Sequence, residues 1–206
     1  MEKLKDVYAI ILAAGKGTRF HGQKQFLEFH DKPLWKHLYD NVTDVVPREN
    51  IIVVGVDIEG GKTRSGSVKK GLEWIDARGN CRRVIIMEAA RTLVTRKQIE
   101  DIAMNDAPSC CYVIPVVDTV ILKDKTYLTR SECLSLVSPQ AFNFQLLWKA
   151  YVNADLSEMR TDETRLMNDV YGIKPTFIEG ADNLYKVTYP KDIAVIEELY
   201  KHMDEY

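Results

Sequence analysis

Apolar and β-branched residues run almost unbroken at positions 7–12, 51–56, 84–87 and 111–117. Each run has the length of a strand, and none shows the polar alternation of a half-exposed sheet. Helix-length segments lie between them at 34–46, 65–77 and 96–105. Strand and helix in alternation, with short connections, predict an α/β fold: a three-layer α/β/α sandwich on a mostly parallel, Rossmann-like sheet. Two later helices carry local signals. Thr161 can cap a helix over 163–171, and Pro190 suits the first turn of another that runs to about His202. On the latter, Ile193, Ile196, Leu199, Tyr200 and Met203 share one face, which predicts core packing. The polar stretch 123–133 sits between apolar runs and predicts a small β-arm at about 118–137. No repeat or Pro/Gly-rich linker divides the chain, so residues 1–206 are expected to form one domain.

The first strand runs into Ala13-Ala14-Gly15-Lys16-Gly17-Thr18-Arg19, with Lys24 five residues further on. A loop with so few side chains lets backbone N–H groups approach a polyphosphate, and Lys16, Arg19 and Lys24 can neutralise it. The Walker spacing is absent, and Phe20 occupies the third glycine position of the dinucleotide pattern. Strands of an open α/β sheet present ligands at their carboxyl ends, where this loop falls. Composition narrows the partners. A net charge of −2 and a pI near 6.1 give no sign of a nucleic-acid or membrane partner. No apolar run approaches the ~18 residues of a membrane span, and no apolar leader precedes the first strand, so a cytoplasmic protein with a small ligand is expected. Cys81, Cys110, Cys111 and Cys133 lack paired spacing and read as reduced thiols. The four histidines lack metal-ligand spacing; His21 lies nearest the loop.

Further blocks follow in order. Residues 60–72 read Gly-Gly-Lys-Thr-Arg-Ser-Gly-Ser-Val-Lys-Lys-Gly-Leu, and 88–91 read Glu-Ala-Ala-Arg. Then come Pro-Val-Val-Asp-Thr-Val at 115–120, Ser-Pro-Gln-Ala-Phe at 138–142, Thr-Asp-Glu at 161–163, and Glu179-Gly180 with 183–188 at the close. Together with the first loop they resemble the 2-C-methyl-D-erythritol 4-phosphate cytidylyltransferase family, including its ribitol 5-phosphate branch, over essentially the whole chain. The resemblance implies a nucleotidyltransferase fold that moves a cytidylyl group from CTP to an alcohol phosphate, releasing pyrophosphate. It implies Arg19, Lys24 and Lys186 as the catalytic cations, and Ala13, Ala14, Gly15, Lys16, Gly17, Thr18, Gly60, Gly61, Arg64 and Ser67 around the nucleotide. Glu88 stands for the residue that holds Mg2+, and Arg91, Asp118 and Thr119 for acceptor contacts. The family also implies a homodimer whose arm reaches the neighbouring subunit.

Three departures modify that expectation. Glu88 replaces the family's aspartate and Thr92 the proline after Arg91. Counting beyond Ser138-Pro139-Gln140 places Phe144 and Val152 where the methylerythritol enzymes grip the acceptor phosphate, with Lys149, Arg160 and Arg165 as replacement candidates. Residues 51–56 also reach Gly60 without the usual helix and strand, which predicts a missing edge strand. The expected activity is therefore cytidylyl transfer to a polyol-type phosphate. The alternatives are the methylerythritol phosphate enzyme of isoprenoid precursor synthesis and a CTP-binding relative with weak turnover.

Overall fold

In the computed structural model, residues 2–154 and 162–206 are described. The strands are β1 (Val7–Leu12), β2 (Glu28–Phe29), β3 (Lys32–Pro33), β4 (Ile51–Val54), β5 (Arg83–Glu88), β6 (Ser109–Pro115), β7 (Leu134–Asn143) and β8 (Thr176–Glu179). β1 is buried on both faces. Val7, Ala9 and Ile11 join one apolar cluster, and Tyr8 and Ile10 the other, as a strand covered from two sides requires. The main sheet has the order β4-β1-β5-β7-β6-β8. Only β7 runs against the rest, pairing antiparallel with β5 and β6; β2 and β3 form a separate short hairpin.

Helices α1 (Leu34–Thr43) and α3 (Arg96–Met104) cover one face of the sheet. The other face carries α2 (Arg64–Asp76), α4 (Phe144–Asn153) and α5 (Glu163–Tyr171). These are the three layers that the alternation of elements predicts. α6 (Asp192–Lys201) packs Ile196, with Ile193, Leu199 and, just past its end, Met203, against Phe29, Leu34, Leu93 and Val187. Among the described residues no helix is long and apolar enough to cross a membrane. The four cysteines are unpaired, three of them buried.

Several elements depart from the sequence-based expectation. β4 stops at Val54 because Gly55 turns the chain at φ +105°. It is the edge of the main sheet, with a single bridge from Val54 to Ile58 beyond it, in keeping with the missing excursion before Gly60. Of the expected arm, 134–137 belong to β7, where Leu136 and Val137 pair with Val113 and Tyr112. The rest is an exposed loop with one antiparallel bridge between Ile121 and Tyr127. Asp162 caps α5, its carboxylate accepting from the Arg165 N–H at 3.1 Å; Arg160 and Thr161 lie outside the described residues. β7, β8 and α4 are additional.

Helix α2 lies close on β1 because it has a glycine at the contact. A Cβ on Gly71 would meet three side-chain atoms of Ile10 at 2.8–3.0 Å, and Ile10 is fully buried. Gly71→Val is expected to cost about 1–3 kcal/mol through overpacking. The measurement is the urea midpoint, and an unchanged midpoint would show that α2 can move off the sheet.

Candidate active site

The chain leaving β1 is held in a tight loop. The Ala13 N–H donates to Val54 O at 2.8 Å. Gln25, 4% exposed, donates from Nε2 to Ala13 O at 2.6 Å and to Gly15 O at 3.0 Å. Gly17 is left-handed at φ +62°, and a Cβ there would fall 1.8 Å from Gly22 O, so only glycine fits this turn. Past it the loop tightens into a single turn at Thr18–Phe20. Arg19 lies over the Tyr189 ring at 5.8 Å, and the Lys24 ammonium donates to Val187 O.

The facing wall is the start of α2. Thr63 caps the helix, its hydroxyl accepting from the Gly66 N–H at 3.0 Å. The Ser67 hydroxyl accepts from the Gly61 N–H at 3.0 Å and donates to Thr63 O at 3.1 Å. A Cβ on Gly60 would meet Ala14 Cβ at 2.2 Å, so the two walls touch there. A helix N-terminus opening on a cleft favours anions.

Between these walls lies a cleft of about 470 Å³. Among the described residues six cationic side chains line it, Lys16, Arg19, Lys24, Lys62, Arg64 and Lys186, against the one carboxylate of Glu88. Such an imbalance suits a polyanion. Glu88, at the end of β5, accepts from Lys186 Nζ at 2.7 Å; Arg64 Nε lies 3.7 Å and Arg91 Nε 3.6 Å from its oxygens. Burial alone would raise the Glu88 pKa, but Lys186 foremost, then Arg64 and Arg91, hold it below the usual range. Burial lowers the Lys24 pKa, and the neighbouring Lys186 and Arg19 charges lower it further. The Val187 N–H donates to Ala90 O at 2.9 Å, which brings Lys186 beside β5. Behind it, Asp192 accepts from the backbone of Thr188 and Tyr189.

A second cavity, of about 440 Å³, adjoins the first and is lined by Arg91, Ser135, Asp182, Tyr185 and Lys186 together with apolar residues of β6, β7 and α6. Lys186 belongs to both cavities. Arg91 is buried, donates to Leu184 O, and has no hydrogen-bond partner at Nε among the described residues.

The cleft brings together Ala13, Ala14, Gly15, Lys16, Gly17, Thr18, Arg19, Lys24, Gly61, Arg64, Ser67, Glu88 and Lys186. Gly60 stands behind it, against Ala14. Arg91 lines the second cavity only, and Asp118 and Thr119 are exposed on the loop after β6 and line neither. His21 is exposed and also lines neither. Phe144 and Val152 are a correction. Phe144 opens α4 and is buried in the core against the sheet, whereas Val152 is exposed on that helix. Neither lines either of the two cavities. The residue count ignored that Ser138-Pro139-Gln140 lies within β7, whose chain leaves the site before α4 begins. Arg165 pairs with Asp169 at 3.7 Å and, like Lys149, lines neither cavity. Motif reading missed Gln25, Lys62, Thr188 and Glu163. All four stood in stretches already singled out, Gln25 beside Lys24, Lys62 within 60–72, Glu163 within 161–163 and Thr188 at the end of 183–188, but none was given a role.

A cationic cleft at the carboxyl ends of parallel strands, walled by small residues and a helix N-terminus, is suited to a nucleoside polyphosphate. The profile for the MobA-like NTP transferase domain matches residues 9–80. The profile for 2-C-methyl-D-erythritol 4-phosphate cytidylyltransferase matches residues 56–202, and the chain belongs to that family. It is 30% identical over 210 residues to the 2-C-methyl-D-erythritol 4-phosphate cytidylyltransferase of Aquifex aeolicus, covering 93% of this chain and 96% of the relative. The bifunctional enzyme IspD/IspF of Campylobacter jejuni strain 81-176 is also 30% identical, over 94% of this chain. The chain spans only 54% of that bifunctional relative. The solved bifunctional IspDF structure from C. jejuni superimposes with a TM-score of 0.78 at 30% identity, over 92% of this chain and 54% of the other. The 2-C-methyl-D-erythritol 4-phosphate cytidylyltransferase structure from Thermus thermophilus, at 22% identity and TM-score 0.74 over 93% and 98% of the two chains, shares the fold.

Proposed function

We propose that this chain transfers CMP from CTP to 2-C-methyl-D-erythritol 4-phosphate. The observation that carries the reading is the six-cation cleft, joined through Lys186 to a second cavity that holds Arg91. The triphosphate lies along the glycine loop, where Arg19, Lys24 and the backbone N–H groups meet its charge. The base faces Ala13, Ala14, Gly61 and Ser67, where the small residues leave pyrimidine-sized room. An acceptor phosphate oxygen, steered by Arg91 and Lys186, attacks the α-phosphorus. The new P–O bond forms as the bond to the departing pyrophosphate breaks, and Lys24 and Lys186 stabilise the charge that spreads over the transferring group.

Glu88 fits the role of Mg2+ ligand implied by the family. It is an ionised hard oxygen donor in the cleft. Among the described residues no group of three or more His, Cys, Asp or Glu could hold an ion alone. One carboxylate plus substrate phosphates is the usual setting for this ion, and the chemistry it supplies there is neutralisation of phosphate charge. Lys186 must leave Glu88 for the ligand.

Family membership supports methylerythritol phosphate as the acceptor to test first, beside other polyol phosphates. A cytoplasmic location belongs to the same proposal and is supported by the charged, phosphorylated substrates it names. A homodimer belongs to the same proposal: Asp118 and Thr119 lie on an exposed loop with Val117 (80% exposed), Ile121 and Tyr127, a surface suited to a second copy.

Pyrophosphate release tests the reading. With Mg2+ and methylerythritol phosphate, CTP is expected to exceed ATP and GTP by at least about tenfold in kcat/KM, tenfold being 1.4 kcal/mol. Equal use of a purine nucleotide would refute the assignment of the base wall, and a polyol phosphate used best would return the acceptor to that class.

A further inference from the structure

Glu163 does not line the cleft, yet its contacts lead there. It is 1% exposed, the first residue of α5. Arg64 Nη1 donates to both its oxygens, at 2.8 and 2.9 Å, and the Tyr151 hydroxyl donates to Oε1 at 2.8 Å. On its other side the guanidinium faces Glu88, with Nε 3.7 Å from Oε1, beyond hydrogen-bond distance. Arg64 is therefore gripped by a carboxylate outside the cleft and only approached by the one inside it.

Two arguments give this arrangement a purpose beyond stability. Desolvation offsets much of the Coulomb gain of a buried ion pair, which makes it a weak stabilising device. Arg64 is also the first residue of α2, where the helix dipole disfavours a cation; a positive charge is kept there against its local electrostatics. Without Glu163, the nearest anion for the guanidinium is Glu88, and the charge that should meet a ligand would be spent inside the protein.

We infer that Glu163 and Tyr151 are positioning residues that clamp Arg64 in the cleft wall, off Glu88 and available to the nucleotide phosphates. The inference rests on the nucleotide reading of the cleft. Tyr151 fixes the carboxylate, the carboxylate fixes the guanidinium, and α4 and α5 thereby take part in a site they do not line.

Calorimetric titration of CTP without metal, with steady-state kinetics beside it, tests the clamp in a double-mutant cycle. Arg64→Gln and Glu163→Gln are each expected to raise the CTP Kd about tenfold, with kcat at saturating CTP changed less than about threefold. The double variant should bind within about twofold of Arg64→Gln alone, because Glu163 acts through Arg64. Tyr151→Phe removes only a hydroxyl and serves if Glu163→Gln fails to fold. It should raise Kd about threefold in the wild-type background and not at all beside Arg64→Gln. Additive losses, or unchanged CTP affinity in the Glu163 and Tyr151 variants, overturn the inference. Wild-type protein that binds no CTP overturns the nucleotide reading, and the clamp with it.

Discussion

Lys186→Ala and Lys24→Ala should each lower kcat by about 10²–10³, the range for removing one donor to transition-state charge. Lys186 has the stronger claim, because it alone belongs to both cavities among the described lining residues and its ammonium already sits 2.7 Å from Glu88. In the free protein that carboxylate neutralises it. In the proposed reaction the phosphates of the triphosphate offer the same charge at the point where bonds change, and the ammonium exchanges one anion for the other. Lys24 contributes from the first loop, its ammonium donating to Val187 O on the same segment that carries Lys186. The Lys186 side chain is 35% exposed, so the fold should survive its loss, with Arg64 and Arg91 still near Glu88. Steady-state pyrophosphate release checks the expectation. A raised KM for CTP with unchanged kcat would mean that these lysines bind substrate and transition state alike.

The first loop was legible because its chemistry is local. Strand, small residues and cations follow one another within 7–24, and the fold needs only to place them at a strand end. The layers were legible for a related reason: apolar runs such as 7–12 and 84–87 are buried on both faces and carry their environment in their composition. β7 was not, because Ser138-Pro139-Gln140 interrupts it with residues that read as a turn. The error over Phe144 followed from counting residues beyond that point as though they stayed at the site. Arg91 behaves in an intermediate way. Its motif marked it, yet only the packing of the 180–187 segment shows that it turns from the cleft towards the second cavity. Glu163 meets Arg64 from 99 positions away in the chain, Tyr151 reaches Arg64 only through Glu163, and no pattern of spacing joins the three.

The segment bearing Lys186 depends in turn on one carboxylate. Asp192, 2% exposed, accepts at Oδ2 from the N–H groups of Thr188 and Tyr189, at 2.7 and 2.8 Å, and at Oδ1 from the Tyr185 hydroxyl at 3.1 Å. Asp192→Ala is expected to cost about 2–3 kcal/mol, since hydrogen bonds to a charged acceptor are lost and two backbone donors are left without it. Asp192→Asn should cost about 1 kcal/mol, because the amide oxygen can still accept from the backbone. Burial alone would raise the Asp192 pKa, but the two backbone donors and the Tyr185 hydroxyl hold it below its ordinary value. The sign follows from that depression. The contribution is full above the unfolded carboxyl pKa of about 3.9 and disappears as pH falls through the folded value. The gap in urea midpoint between wild type and Asp192→Asn should therefore be present at pH 7 and shrink below about pH 4; a gap that persists at low pH would mean that the carboxylate charge is not what holds the segment. Turnover should follow the same anchor. With Thr188 and Tyr189 released, Lys186 loses its fixed approach to Glu88, and a misplacement of about 1 Å is enough to cost up to 10²-fold in rate. Asp192→Ala is thus expected to lower kcat at saturating CTP by at least about tenfold in steady-state pyrophosphate release, and an unchanged kcat would mean that the segment keeps Lys186 in place without this carboxylate.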